Sequence, residues 1–245
     1  MNRQQRRMQQ RKERKKPVAE QKFEMNMSVI QPWSTFVMKT KLPDAILGKM
    51  LEITDEMVDN AENEKSWGKN LAGQIEHELY VEHEKLHEAG IYNFFMDIVR
   101  HFVVATKSQQ HPGNEQAIQQ EKWLTQMLSM WIISQKDGEY NPMHIHRGKS
   151  NLGLSSVLCL KVPNTYGKEY STEHSPCNGV LDIIGNNSGM FAYNQYRHKL
   201  VVGDLFVFPY DITHGVYPFN STIETRRTMS YNCDLINKNL KDYND

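Results

Sequence analysis

Met130-Trp131-Ile132-Ile133-Ser134-Gln135-Lys136-Asp137-Gly138-Glu139-Tyr140-Asn141-Pro142-Met143-His144-Ile145-His146 is where the chain changes its hydrophobic period. Met130 to Ile133 reads as a strand, Asp137-Gly138 is a strong hairpin signal, and Glu139 to His146 is expected to return as a second extended segment. Alternate side chains of a strand share a face, so His144 and His146 point the same way while Ile145 is expected in packing. A third histidine, His214, ends Phe208-Pro209-Tyr210-Asp211-Ile212-Thr213-His214. Carried by another strand of an antiparallel sheet, it would close a facial set of three ligands with open positions on a metal. Open positions mean chemistry.

Working outward from this stretch, Leu154 to Val162, Val180 to Ile184, Met190 to Tyr193, Leu200 to Pro209 and Thr225 to Asp234 read as further short strands between Gly, Asn and Pro clusters. Before Leu128 the spacing is helical. Trp33 to Lys39 is expected as a short strand, followed by a helix after Leu42-Pro43-Asp44 with Ile46, Leu47, Met50, Leu51, Met57 and Val58 on its apolar side. A second helical stretch is expected from about Leu71 to Glu88. A third runs from Ile91 to Thr106, with Phe95, Ile98, Val99 and Phe102 inward and His101 on the polar side, and Gln109 to Gln120 is a polar break. The pattern predicts a mainly β, α+β protein: a double-stranded β-helix (jelly roll) flanked by N-terminal helices. Residues 1–20 are expected to be a basic disordered tail, 21–127 the helical support and 128–245 the β core, with 21–245 expected to form one globular domain.

The chain has 245 residues, 39% of them apolar, enough for a full core. Net charge is zero, but residues 1–16 hold eight Lys or Arg against Glu13, leaving −7 on the rest. Such a segment has too little apolar content to fold alone, and its charge allows contact with nucleic acid or an acidic partner, or with nothing. Cys159, Cys177 and Cys233 form no CxxC pair, which argues for reduced thiols rather than a disulfide framework or thiolate zinc. The longest apolar stretch, Ile91 to Ala105, is broken by Asp97, Arg100 and His101, and charge fills the N-terminus where a signal peptide needs an apolar core. No membrane association and a cytoplasmic location are expected.

Two segments have metal-ligand spacing. His83-Glu84-Lys85-Leu86-His87 fits HExxH, which would put two histidines on one helical face beside a glutamate base, as in a zinc hydrolase. The charged residues around it, Glu76 to Glu84, argue instead for a solvated helix face, since a catalytic zinc wants an apolar surround. The HxH pair with distal His214 has better context, because His214 follows a Gly203-Asp204 turn and the apolar run Leu205 to Phe208. In Arg226-Arg227-Thr228-Met229-Ser230, Arg226, Thr228 and Ser230 share one face of a strand. A guanidinium fork beside a hydroxyl suits a buried carboxylate.

Tyr140 to His146, Leu154 to Pro163, Gly203 to His214 and Arg226 to Asn232 together resemble the non-haem Fe(II)- and 2-oxoglutarate-dependent oxygenases, in a branch with an NxxHxH motif and prolyl-hydroxylase-like character. The resemblance covers roughly the C-terminal half. It implies a hydroxylase that couples oxidative decarboxylation of 2-oxoglutarate to substrate oxidation, using Fe(II), 2-oxoglutarate and O2. It implies His144, His146 and His214 as metal and catalytic residues, with His146 standing where the family usually has Asp. It implies Arg226, Thr228 and Ser230 at the cosubstrate, and a substrate that is a small molecule or a protein side chain. The segments 164–178 and 185–189, which could select the substrate, carry no legible motif. The rival readings are the HExxH zinc hydrolase and a non-catalytic jelly-roll binding or structural protein whose tail docks on nucleic acid.

Overall fold

A computed structural model describes residues 35–71, 73–169, 176–185, 189–190, 192–220 and 224–237. The basic tail, Trp33 and parts of both candidate substrate segments lie outside these residues. Among the described residues ten strands form two antiparallel sheets. One sheet orders β1 (Met38–Lys41), β8 (Asp204–Pro209), β5 (Gly153–Lys161), β10 (Arg226–Asn237), β3 (Trp123–Gln135) and β2 (His77–Tyr80). The other orders β4 (Asn141–His144), β9 (Thr213–Val216), β6 (Val180–Ile184) and β7 (Gln195–Lys199). The expected jelly roll is the fold.

The larger sheet is covered on both faces, and its strands split their side chains by parity. Leu154, Leu158 and Leu160 of β5, Leu205 and Val207 of β8, and Met229, Tyr231 and Leu235 of β10 join the core under the helices. The intervening Val157, Cys159, Phe206 and Phe208 join Leu181 and Ile183 of the smaller sheet in a second core between the sheets. The helices α1 (Asp44–Asp59), α2 (His83–Glu88) and α3 (Tyr92–Gln110) contribute to the first core, where Met50, Leu86, Phe95, Val99 and Phe102 are buried, and the short α4 (Glu115–Gln120) buries Ile118. Burying each such side chain stabilises by roughly 1.5–3 kcal/mol. Phe95 meets the Tyr231 ring edge-on at 5.6 Å, so α3 packs directly on β10.

Several elements differ from the sequence reading. Asp137-Gly138 turns the chain, but β3 pairs with β10 and β2 while β4 pairs with β9, so the turn crosses between sheets and closes no hairpin. Its Gly138 N–H bonds Phe219 O across the fold, a tertiary contact that local turn chemistry does not encode. The second helix is only α2; His77–Tyr80 is a strand instead, because the open edge of β3 offers backbone partners to it. The polar break contains the short α4, β1 lies slightly later than expected, and β3 begins at Trp123. The described residues of the expected Met190 to Tyr193 strand, Met190, Ala192 and Tyr193, are not in a strand: Met190 is 93% exposed and β6 pairs with β7 and β9. Cys159, Cys177 and Cys233 are free. Among the described residues no helix is long and apolar enough to cross a membrane.

Candidate metal centre

His144 and His214 face each other as a cross-strand pair of β4 and β9. His146 lies just past the end of β4, where its N–H bonds Tyr210 O at 2.9 Å. The loop that follows is pressed onto Asp234, whose carboxylate accepts from Lys149 N (3.0 Å) and Ser150 N (2.8 Å). Gly148 is required there, since a Cβ would collide with that carboxylate. Ile145 is 44% exposed, contrary to the expectation that it packs inward. A register shift between Asn141 and His144 and the end of pairing at His144 break the strict alternation, yet the two imidazoles still converge.

The three histidines bring one ligand atom each to within 4.8 Å of one another, and this is the one group of three metal-ligating side chains among the described residues. The Nε2 atoms of His146 and His214 are 3.2 Å apart. Two cis ligands on a metal with bonds near 2.1 Å would stand about 3.0 Å apart. His144 Nδ1 donates to Pro142 O (2.7 Å) and His214 Nδ1 to Ile212 O (2.9 Å), so backbone carbonyls fix both rings with Nε2 free to ligate. Burial, reinforced by the neighbouring imidazoles, pushes His146 down to about 2. Burial and the charge of His144 push His214 down to about 3, and burial also lowers His144. All three rings are therefore neutral near pH 7, the form a metal binds.

His146 is held by a different neighbour. Its Nδ1 lies 3.4 Å from Asn232 Nδ2, while Asn232 Oδ1 is buried without a partner. Without metal, His146 Nε2–H donates to His214 and Nδ1 accepts from the amide. With metal on Nε2 the proton must sit on Nδ1, and turning the Asn232 amide over presents Oδ1 to it.

Arg226, Thr228 and Ser230 line the same cavity as the three histidines, together with Trp131 and Ile133 of β3. Arg226 is 1% exposed, yet among the described residues no carboxylate pairs with it. Its guanidinium donates to Gly179 O (2.9 Å) and Gln135 Oε1 (2.5 Å), and Nε is buried with no partner. A buried cation lacking an anion is unfavourable unless a ligand supplies one. Arg227 points the other way, to the Thr54 hydroxyl and Asp55 of α1. The space left between these side chains is about 20 Å³, room for one water, so an organic acid must displace side chains to enter.

The other histidine pair does not form a centre. His83 and His87 lie on the six-residue α2, with the His87 ring stacked on Tyr92 at 4.1 Å and His83 tilted against Tyr80 and Tyr92. They are packing residues. The rival zinc-hydrolase reading gains no support, because HExxH spacing places two ligands but cannot supply a third, and among the described residues none joins them.

Residues 129–232 match the family model described as "Putative 2OG-Fe(II) oxygenase". The chain is thus similar to the 2OG-Fe(II) oxygenases, and the match spans every residue of the centre. No curated protein sequence matches the chain. Solved structures similar to it include a Pseudomonas putida prolyl-4-hydroxylase (15% identity, 84% of this chain and 94% of that chain, TM-score 0.43). A Trichoplax adhaerens prolyl hydroxylase, bound to a hypoxia inducible factor oxygen degradation domain peptide fragment, shows 12% identity over 83% and 84% with a TM-score of 0.49. The viral collagen prolyl hydroxylase vCPH from Paramecium Bursaria Chlorella virus-1, in its 2OG complex, shows 12% identity over 80% and 94% with a TM-score of 0.40.

For this oxygenase-like chain, the residues present fit iron and a 2-oxo dicarboxylate: three neutral imidazoles for the metal, and for a carboxylate a buried guanidinium whose Nε has no partner among the described residues. Sequence reasoning missed Trp131, Gln135 and Asn232 as parts of the centre. Asn232 was within reach, since it continues the parity of Arg226, Thr228 and Ser230. Gln135 was not, because it stands opposite Arg226 only through the β3–β10 register.

Proposed function

We propose that this protein is an Fe(II)- and 2-oxoglutarate-dependent hydroxylase. The observation carrying the proposal is a buried Arg226, with no carboxylate partner among the described residues, in the same cavity as three converging histidines. His144, His146 and His214 would hold the metal. Arg226, with the Thr228 and Ser230 hydroxyls on its face, would hold the distal carboxylate of the cosubstrate. Iron supplies coupled oxidation: 2-oxoglutarate and O2 give succinate and CO2, and the second oxygen atom enters a substrate C–H bond. The protein's own contribution is positional. The carbonyls of Pro142 and Ile212 hold two ligand rings in the ligating tautomer, and the two sheets keep bulk water away from the cavity. A site of three neutral ligands leaves the full metal charge to be balanced by the cosubstrate dianion.

Purified without oxygen, the protein is expected to bind one Fe(II) and, with 2-oxoglutarate, to show a visible charge-transfer band. His144→Ala and His214→Ala should each abolish the band, while His83→Ala should leave it intact. In air the wild type should slowly convert 2-oxoglutarate to succinate. A band surviving in both histidine variants would remove iron from this site.

A further inference from the structure

A second cavity of about 400 Å³ adjoins the metal centre, and His146, Trp131 and Asn232 belong to its wall. Its volume is in the range that small molecules occupy, and Trp67, Leu128 and Ile145 give it apolar sides. Among the described residues no carboxylate lines it, whereas Arg147 and Lys149 do, and both are exposed. Neither cation has a carboxylate within 4 Å among the described residues, whereas Lys39, Lys85, Lys107, Lys136 and Lys161 elsewhere in the fold each have one. Asp234 lies behind the loop but is spoken for: it accepts from Lys149 N, Ser150 N and the Tyr210 hydroxyl (3.1 Å). Trp131 is 2% exposed, and its indole N–H has no acceptor among the described residues. A donor this well buried is seldom left unpaired, and here it belongs to a residue common to both cavities.

Resting on the function proposed above, we infer that this cleft takes the substrate, and that the substrate is a small organic acid with an apolar, planar body. The body lies between Trp67 and Ile145 against the His146 edge. Its acidic group is gripped by Arg147 and Lys149, and an acceptor on it answers the Trp131 N–H. Charge-assisted contacts at the rim give orientation, and the apolar walls give area.

The test uses two dyes with the same aromatic body, anilinonaphthalene sulfonate and the uncharged phenylnaphthylamine, titrated by fluorescence into the full-length, metal-free protein at low salt. The sulfonate should bind at least tenfold more tightly than its neutral analogue. Arg147→Gln combined with Lys149→Gln should remove that advantage while leaving the neutral dye's affinity and the melting temperature unchanged. Trp67→Ala should weaken both dyes. Equal affinities for the two dyes, or a sulfonate affinity untouched by the double substitution, would overturn the inference and place the dye elsewhere, such as in the 330 Å³ cavity beside Phe102 and Trp123. His144→Ala, which does not line the cleft, should retain the sulfonate preference. Failure of the iron assignment therefore leaves this measurement standing, and failure of this measurement leaves the iron assignment standing.

Discussion

Arg226 directs its guanidinium into the metal cavity, whereas Arg227, one residue on, reaches Thr54 and Asp55 on the far side of the sheet. Strand parity alone separates them, and this much was legible once Thr225 to Asn232 was read as extended. Leaving the cosubstrate carboxylate buried and unpaired costs roughly 2–5 kcal/mol, so Arg226→Ala should weaken 2-oxoglutarate binding by at least tenfold with Fe(II) binding retained. Arg227→Ala should barely change it. Calorimetric titration of the two variants decides the matter, and the opposite ranking would show that the wrong arginine has been assigned to the cavity. Asn232 offers a second residue-scale test. Partners that fix a ligand ring typically contribute 10–100-fold in metal affinity, so Asn232→Leu should weaken Fe(II) by about that much. Asn232→Asp, which can only accept from His146 Nδ1–H, should restore or exceed wild-type affinity. Equal affinities in all three proteins would mean that the amide does not govern the His146 tautomer.

Among the elements, β5, β6, β8 and β10 and the long helices were legible because their apolar residues recur at a clean period of two or 3.6. β2, β7 and β9 were not. His77–Tyr80 and Gln195–Lys199 are polar edge strands whose conformation comes from the neighbour they pair with, and Thr213–Val216 is only four residues long. The same limit explains the misread turn at Asp137-Gly138: local chemistry specifies a reversal but not the sheet that receives the next strand. Helix α1 is tied to β10 and β5 through Asp55, which meets both Arg227 and Lys161 and is held below the usual carboxylate range by them against a burial that acts in the opposite direction. Since Lys161 remains when Arg227 is removed, Arg227→Ala should cost only about 1 kcal/mol in urea unfolding. A loss several times larger would mean that Arg227 supports more than the seating of α1.

For the molecule as a whole, pH dependence of stability follows from a buried carboxyl at the edge of the larger sheet. Glu78 of β2 is 4% exposed, its Oε1 has no partner, and burial together with the charge of Glu139 pushes it up to about 7. In the unfolded chain it titrates near its ordinary value of 4.5. Between these values the folded protein holds a proton that the unfolded chain has lost, so the free energy of unfolding falls as pH rises through the window. Below about 4.5 both states are protonated and Glu78 has no effect; above about 7 the folded state bears the full penalty of a buried anion. Glu78→Gln keeps the shape of the neutral acid and removes the titration, while every other ionisable group is common to both proteins. The variant should therefore match the wild type near pH 4.5 and exceed it by about 2–3 kcal/mol at pH 8, with the gap opening between the two. Paired urea melts across this range measure the gap directly. A difference that stays constant with pH would show that Glu78 titrates alike in the folded and unfolded states, and hence that a cation or water reaches its carboxylate.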